Sequence, residues 1–363
     1  MAHLFETFDL NGLALPNRIV MAPMTRTRAT EAGVPTDLMR DYYVQRAGAG
    51  LIITECARIS EAAHGIIRAP GIFSEAQVAG WRRITDAVRA AGGRIVNQIW
   101  HPGRVSHPDI LGGRAPVAPS PIAAAGEFFL PTGRVPFTEP RELRADELPG
   151  IVADFARAAR NARSAGFDGV EIHAANGYLL QQFLEDGSNR RTDAYGGPVE
   201  NRARLTLDVV DAVIAAWDAA RVGVRLSPAG VHYGMDGRDR PATYEFLIRA
   251  LADRSVGYLH VIRPNQASYD AGPVQIEDVA GFTRARFAGP IIVNGGFDRA
   301  AADAVLSRGD ADLVAFGVPF LANPDLVTRL AAGAAWNAPD PSTFYGVGPK
   351  GYTDYPVLDA AAV

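Results

Sequence analysis

The feature of this sequence that most limits its fold is a regular alternation of short apolar runs with longer segments of helical periodicity. Short apolar runs bounded by Gly, Pro or polar residues are typical of buried parallel strands, and helical segments between them are typical of crossover helices. Eight runs follow this pattern: Arg18–Ala22, Gly50–Thr54, Arg94–Ile99, Gly169–His173, Val222–Leu226, Tyr258–Val261, Ile291–Asn294 and Leu313–Phe316. The sequence therefore predicts an α/β fold of the TIM barrel class, (β/α)8.

Helical periodicity is clearest in six of the intervening segments, and several of these end at a glycine, as helices commonly do. The predicted helices are Ser74–Ala91, Asp146–Ala165, Glu200–Ala220, Thr243–Asp253, Arg299–Ser307 and Pro324–Ala332. An open doubly wound sheet is the alternative α/β fold, and it predicts a G-x-G-x-x-G turn after an early strand. No such turn opens this sequence, which favours the closed barrel.

Two long connections interrupt the pattern: His101–Leu143 after the third predicted strand, and Ala174–Pro198 after the fourth. Long loops in a compact domain are commonly functional, and barrel active sites lie at the strand ends where these loops begin. Insertion without function is the alternative. Near the N-terminus, the stretch Phe8-Asp-Leu-Asn-Gly-Leu-Ala-Leu predicts a β-hairpin around Asn11-Gly12 that covers the floor of the barrel.

Composition and charge narrow the class of partner. Of 363 residues, 48% are apolar and 21% charged, which suits one barrel domain over residues 1–363. The formal net charge of -4, with no basic run among aromatic residues, argues against nucleic acid. No apolar stretch reaches about 18 residues and no signal-peptide pattern begins the chain, so we expect a cytoplasmic protein without a membrane partner.

The predicted strand ends bring together the residues that could carry chemistry: Thr25, Gln98, Trp100, His173, Arg225, Gly295, Gly296 and Gly317. This set contains neither a nucleophile with its base nor a cluster of metal ligands, and the single cysteine, Cys56, excludes a cysteine-rich metal site. No metal is expected, and a bound organic cofactor has to supply the reactivity. The glycines offer backbone N–H groups to a phosphate, although they also suit tight turns.

The segment after the fourth strand holds three hydrogen-bonding side chains within six residues: His173, Asn176 and Tyr178. Together they could bind one carbonyl or one ring face. Separately, each has a structural explanation, as a hydrogen-bonded histidine at a strand end, a turn asparagine and a tyrosine that packs its ring. The residues alone leave both interpretations open.

Four ordered motifs are more specific. They are Pro16-Asn-Arg-Ile-Val-Met-Ala-Pro-Met-Thr-Arg, Gln98-Ile-Trp-His-Pro-Gly-Arg, the His173-x-x-Asn-Gly-Tyr segment, and Ser188-Asn-Arg-Arg-Thr-Asp-Ala-Tyr-Gly-Gly-Pro-Val-Glu-Asn-Arg. From Leu4 to Pro356 the chain resembles the Old Yellow Enzyme family. The resemblance implies a barrel that binds FMN, takes electrons from NADPH or NADH, and acts on a small-molecule substrate as a monomer or small homo-oligomer.

The resemblance also implies how FMN lies over the barrel mouth. Thr25 matches the residue that hydrogen-bonds flavin O4, in the branch that has threonine rather than cysteine there. Gln98 matches the glutamine that binds the pyrimidine edge, and Arg225 matches the arginine beside N1 and O2, where reduced flavin carries negative charge. The other implied cofactor-binding positions are Pro23, Met24, Cys56, Gly295, Gly296, Gly317 and Val318.

For the substrate, the resemblance implies an ene-reductase of ping-pong mechanism acting on enones, enals, maleimides and nitroalkenes. His173 and Asn176 match the pair that binds the activating oxygen, while hydride passes from flavin N5 to the β-carbon. Tyr178 matches the donor of a proton to the α-carbon, a role that suits a phenol neutral at pH 7. Trp100, Ile66 and Tyr345 match pocket positions that contact the substrate.

The chain departs from the family at two positions in particular. Relatives carry Phe-Gly-Arg at the last strand, with that arginine on the FMN phosphate, whereas this chain has Phe316-Gly317-Val318. Relatives close to it carry tyrosine at the position of Ile66, so the pocket is expected to be more apolar on that side. Cys56 stands where relatives usually have alanine, and a structural role is expected for it.

Two alternative functions use the same fold. Hydroxy-acid oxidases and dihydroorotate dehydrogenases are FMN barrels with a lysine near flavin N1, but the sole lysine here, Lys350, lies near the C-terminus. A flavin-binding barrel of low or no turnover, such as a redox sensor or a degenerate enzyme, is favoured by Val318. The intact set of His173, Asn176 and Tyr178 argues against it.

Overall fold

The computed structural model describes residues 3–359 and confirms the predicted barrel. Eight parallel strands, β1–β8, lie side by side in chain order: Ile19–Met21, Leu51–Ile53, Ile95–Trp100, Gly169–Ala174, Val222–Leu226, Tyr258–Ile262, Ile291–Asn294 and Leu313–Phe316. β8 pairs with β1, with Phe316 opposite Met21, and this pairing closes the barrel. Every strand end lies within one residue of its predicted position.

Helices α1–α8 follow the strands in the described range: Asp37–Val44, Glu75–Ala90, Leu148–Ser164, Val199–Ala216, Arg240–Asp253, Val279–Arg284, Arg299–Arg308 and Leu326–Ala332. The helix predicted to reach Ala220 ends at Ala216, so this boundary is wrong. The reason is Asp218, whose carboxylate accepts a hydrogen bond from the backbone N–H of Ala220 and caps a separate turn before β5. α1 and α6, of 8 and 6 residues, were not among the predicted helices.

The predicted N-terminal hairpin is present and lies against the start of the strands. Its strands are Phe8–Leu10 and Leu13–Leu15, joined by Asn11 and Gly12, which both have positive φ (51° and 82°), as a tight hairpin turn requires. The Asn11 amide donates to the carbonyl of Gly257, just before β6, at 2.7 Å. Leu10 and Leu15 pack with apolar side chains of the barrel interior, so the hairpin covers the floor.

Both long connections begin at the opposite end of the barrel. The connection after β3 contains an antiparallel hairpin, Glu127–Leu130 with Gly133–Pro136, and the connection after β4 contains a short helix, Leu179–Leu184. Arg104, buried in the first of them, donates to the carbonyls of Ile122 and Tyr233 at 3.2 and 3.1 Å. Arg104 therefore ties the loop after β3 to the loop after β5 around one mouth.

No helix between residues 3 and 359 is long and apolar enough to cross a membrane. Over the same residues, no three His, Cys, Asp or Glu side chains are grouped so that they could hold a metal ion.

Candidate active site

A cavity of about 400 Å³ opens at the C-terminal ends of the strands. It is lined by Pro23, Met24, Thr25, Arg26, Cys56, Ile66, Gln98, His173, Asn176, Tyr178, Arg225, Tyr233, Val318, Leu321, Phe344 and Tyr345. All of these except Arg26, Tyr233, Leu321 and Phe344 are among the site residues predicted from the sequence. The barrel thus brings residues from near both ends of the chain into one site.

Strand register places polar side chains in one layer beneath this cavity. Glu171 on β4 lies opposite Gln98 on β3, and Arg225 on β5 lies opposite both His173 and His260. Gln98 Nε2 donates to Glu171 Oε1 at 2.8 Å, and His260 Nδ1 donates to Glu171 Oε2 at 2.9 Å. Burial acts to raise the pKa of Glu171, but His260, Arg225 and Gln98 hold it below its ordinary value. The ionised Glu171 therefore fixes the Gln98 amide in one orientation.

Arg225 is a buried cation whose N–H donors are not all used. Its Nη2 donates to Asn294 Oδ1 at 3.0 Å, whereas its Nε has no hydrogen-bond partner among the described residues. Burial lowers the pKa of Arg225, while the nearby Glu171 acts in the opposite direction, and a guanidinium keeps its charge in proteins. A buried charge with an unsatisfied N–H at the cavity wall indicates a site for an electron-rich ligand group.

His173 and Asn176 present uncharged donors. The backbone N–H of Ala175 donates to His173 Nδ1 at 3.3 Å, so Nε2 is the ring nitrogen that carries hydrogen. Burial, with the charge of Arg225, lowers the pKa of His173 well below its ordinary value of 6.5, and the ring is neutral. Asn176 has φ of 57°, a left-handed conformation that asparagine tolerates, and its backbone N–H donates to Ser227 Oγ at 2.8 Å.

Tyr178 contributes a phenol at the same wall. Its ring packs edge-on against His173 and Trp100, with centroids 5.0 and 5.1 Å away. Burial, together with the neighbouring Tyr233, raises the pKa of Tyr178 well above its ordinary value of 10.0, so the hydroxyl keeps its proton. Trp100 itself is fully buried behind Tyr178 and does not line the cavity, unlike the other predicted substrate positions.

On the β1 side, Thr25 Oγ1 and Cys56 Sγ lie within hydrogen-bonding distance, 3.2 Å apart. Burial raises the pKa of the Cys56 thiol to about 12, because a thiolate is poorly stabilised away from water. Cys56 is therefore a neutral thiol that packs against Thr25, and it has none of the features of an activated nucleophile.

The ends of β7 and β8 are rich in glycine. Gly295 and Gly296 have φ of 128° and 65°, conformations that glycine adopts readily and other residues do not. Their N–H groups donate to no other residue in the described part of the chain. Gly295, Gly296 and Gly317 do not line the cavity but lie beside it. Asn294, which precedes Gly295, bonds Arg225 in the cavity wall. Gly317 precedes Val318, which lines the cavity and is 44% exposed.

Residues 3–337 match the model of the NADH:flavin oxidoreductase / NADH oxidase family. The chain belongs to this family. A relative from Leishmania infantum, named as a probable flavin mononucleotide-dependent alkene reductase, is 41% identical over 355 residues, which are 96% of this chain and 96% of the relative.

Solved structures of family members agree with the barrel described above. Morphinone reductase in complex with tetrahydroNAD is 47% identical, with a TM-score of 0.93 over 99% of each chain. The old yellow enzyme homologue from Zymomonas mobilis is 42% identical, with a TM-score of 0.94 over 98% of this chain and 100% of that one. The predicted membership of the Old Yellow Enzyme family is confirmed. The protein is therefore a flavin oxidoreductase with FMN as cofactor and a nicotinamide nucleotide as reductant.

Four residues that line the cavity were not predicted from the sequence, and two of them, Arg26 and Tyr233, shape its mouth. Arg26 donates to the carbonyls of Phe344 and Gly351 at 2.9 and 2.7 Å, which holds the C-terminal segment, with Tyr345, over the cavity. Tyr233, whose φ is 59°, lies beside Tyr178 with ring centroids 5.9 Å apart. Arg26 follows directly after Thr25 in the sequence, and this adjacency was the available signal. The sequence around Tyr233 gave no such signal, because the position of Tyr233 depends on the distant Arg104.

The buried pair of Glu171 and His260 was also missed. Both side chains are fully buried and lie beneath the cavity rather than in it. An ionisable residue within a predicted apolar strand was the signal, since strands buried on both faces rarely contain one without a partner.

Proposed function

We propose that this family member is an ene-reductase, which uses NADPH or NADH to reduce C=C bonds activated by a neighbouring carbonyl or nitro group. The substrate classes are enones, enals, maleimides and nitroalkenes, and the two half-reactions use one site in ping-pong order. The observation that carries the proposal is that two uncharged donors, on His173 and Asn176, share a cavity wall with the neutral phenol of Tyr178. The alkene reductase named among the relatives supports the same class of reaction.

The polar layer of the site fits the ring system of FMN. The pyrimidine edge of that ring presents an N–H between two carbonyl oxygens, so it needs both donors and an acceptor. Gln98 uses one amide N–H on Glu171 and keeps its carbonyl oxygen and second N–H, and Arg225 keeps its Nε–H. Gln98, Arg225 and the hydroxyl of Thr25 are the side chains that would hold the ring. Pro23, Met24 and Cys56 would complete this part of the site.

The glycine-rich side fits the FMN phosphate. A phosphate accepts several hydrogen bonds, and backbone N–H groups in turns are common donors to it. Gly295 and Gly296 offer unpaired N–H groups next to the polar layer, with Gly317 and Val318 at the neighbouring strand end. These four residues would bind the phosphate through the backbone.

Bound FMN supplies the hydride carrier that links the nicotinamide to the alkene. The protein's part is to polarise the substrate. His173 Nε2–H and the Asn176 amide donate to the carbonyl or nitro oxygen, which withdraws electrons from the C=C bond and makes its β-carbon electrophilic. Both donors are uncharged, so they bind a neutral substrate without adding a charge of their own to the buried site.

Tyr178 then supplies the proton that completes the saturated product, by giving its phenol hydrogen to the α-carbon. Its raised pKa keeps that hydrogen in place until negative charge develops on the substrate. Trp100 packs edge-on against the ring and restricts its orientation. Ile66 and Tyr345 line the opening, where they affect which substrates enter.

The experiment that tests this proposal is to measure both half-reactions of Tyr178→Phe by stopped flow. Reoxidation of the reduced enzyme by 2-cyclohexenone is expected to slow by about 10²-fold or more, because the general acid is lost. Reduction by NADPH is expected to stay within about twofold, since no proton from Tyr178 is needed. Tyr195→Phe, which removes a phenol outside the cavity, is the matched control and should leave both steps unchanged. If the two steps slow equally, or if neither slows, the role of Tyr178 is contradicted.

A further inference from the structure

The residue that follows β6 lies against the glycine turn after β7. Arg263 donates its backbone N–H to the carbonyl of Asn294 at 2.9 Å, which continues the β6–β7 pairing by one residue. The Cβ of Arg263 faces Gly295 so closely that a Cβ added to that glycine would lie 3.2 Å from it. The base of the Arg263 side chain is therefore in contact with the turn that offers free N–H groups.

Among the described residues, the charged end of Arg263 contacts one aromatic ring but has no hydrogen-bond or ion-pair partner. Its guanidinium lies over the ring of Phe297, 4.4 Å from the centroid, just beyond Gly296. The guanidinium donates no hydrogen bond and forms no ion pair with any residue from 3 to 359. An arginine has five N–H donors in a planar fork that matches phosphate, so an unpaired one beside unpaired backbone donors indicates a phosphate ligand.

Other arginines on this side of the barrel are already committed. Arg299, at the start of α7, donates to the carbonyl of Leu330 at 2.8 Å. Arg329 on α8 donates to Asp325 Oδ1 at 2.8 Å and to the carbonyl of Pro356 at 3.1 Å. Neither Arg299 nor Arg329 can reach Gly295-Gly296 without breaking these bonds. Arg263 would give up only its contact with the Phe297 ring.

We infer that Arg263 is the cation that binds the FMN phosphate in this chain, in place of the arginine that relatives carry at the position of Val318. The cation would come from the β6 side of Gly295-Gly296 instead of from the end of β8. Val318 is then free to be apolar without loss of the cofactor. The inference concerns cofactor binding alone and does not depend on which alkene is reduced.

The test is to titrate the full-length chain, stripped of flavin, with FMN and with riboflavin, which lacks the phosphate, and to follow quenching of flavin fluorescence. For Arg263→Gln, the Kd for FMN is expected to rise about tenfold and the Kd for riboflavin to stay within about twofold. Arg263→Lys keeps the charge and should lose less of the affinity for FMN than Arg263→Gln does. Arg160→Gln, which removes an exposed charge on α3, is the matched control and should change neither affinity.

A rescue variant makes the result specific. In Arg263→Gln combined with Val318→Arg, the Kd for FMN is expected to return to within about threefold of the original, because the cation is restored from the other side. An unchanged Kd for FMN in Arg263→Gln overturns the inference. So does an equal loss of FMN and riboflavin affinity, which would mean that Arg263 supports the loop and not the phosphate.

Discussion

The two sides of the barrel mouth differ in how firmly their polar groups are held. On the β3–β5 side, Gln98, His173 and Arg225 are at most 5% exposed, and their orientations are fixed by hydrogen bonds to neighbouring residues. On the β6–β8 side, Val318 is 44% exposed and the guanidinium of Arg263 has only a ring contact. Proton and hydride transfer need donors placed to within a fraction of an ångström, whereas a phosphate is attracted by any suitably placed cation.

This contrast accounts for one of the departures from the family pattern, Val318 in place of arginine. On the β3–β5 side, Gln98 and His260 both bond the buried Glu171, so a substitution of either leaves a buried carboxylate oxygen unsatisfied. In the proposed phosphate site, binding would depend on backbone N–H groups and on a charge that can come from more than one direction. Val318 in place of arginine is a change that only this second kind of site tolerates.

The largest effect is expected on the β3–β5 side. His173→Ala removes one of the two proposed donors to the substrate oxygen, and kcat/KM for 2-cyclohexenone is expected to fall about 100-fold. The Kd for FMN is expected to stay within about threefold, because Gln98 and Arg225 still hold the ring. His3→Ala, at an exposed histidine outside the cavity, should change neither value. An unaltered kcat/KM in His173→Ala contradicts the proposed polarisation step.

A smaller effect, a gain in FMN affinity, is expected on the β6–β8 side. Val318→Arg adds a cation beside the proposed phosphate site, and the Kd for FMN is expected to fall about threefold, since a partly exposed charge pair gains little. Val318→Gln, of similar size but uncharged, should have no such effect. The gain should be absent with riboflavin and should shrink at high salt. Equal gains with FMN and riboflavin would show that Val318 does not face the phosphate.

The smallest effect is expected from pH. Burial lowers the pKa of His173 well below 6.5 and raises that of Tyr178 well above 10.0. His173 would become charged only at a pH below its lowered pKa, and Tyr178 would lose its proton only above its raised one. The rate of flavin reoxidation by saturating enone is therefore expected to be flat from about pH 6 to pH 9. A limb that titrates near pH 6.5 would show that His173 is not neutral in the working enzyme.

Much of the fold follows from the sequence because buried parallel strands are short continuous apolar runs, and all eight could be located from these. α6 was missed because its six residues give no clear period. α1 was missed although its buried residues Met39, Tyr42 and Tyr43 stand at helical spacing. The end of α4 was predicted wrongly because a local bond, from Ala220 N–H to Asp218, competes with helix continuation.

The cavity was predictable to the extent that its residues stand at strand ends or in motifs. Tyr233 and Phe344 were not, because each is placed by a buried arginine distant in sequence, Arg104 and Arg26 respectively. Arg263 follows a strand end, but nothing in its local sequence shows that its charge is unpaired. Pairing between distant residues depends on the closed barrel and becomes visible only in three dimensions.

The most direct test of the central claim is to follow the flavin absorbance of the purified enzyme without oxygen, adding NADPH first and 2-cyclohexenone second. NADPH is expected to bleach the flavin band, and the enone is expected to restore it with formation of cyclohexanone, which would show both half-reactions at one site. A band that NADPH bleaches and the enone does not restore would contradict alkene reduction by His173, Asn176 and Tyr178. In that case the barrel binds and reduces flavin but passes its electrons to a different acceptor.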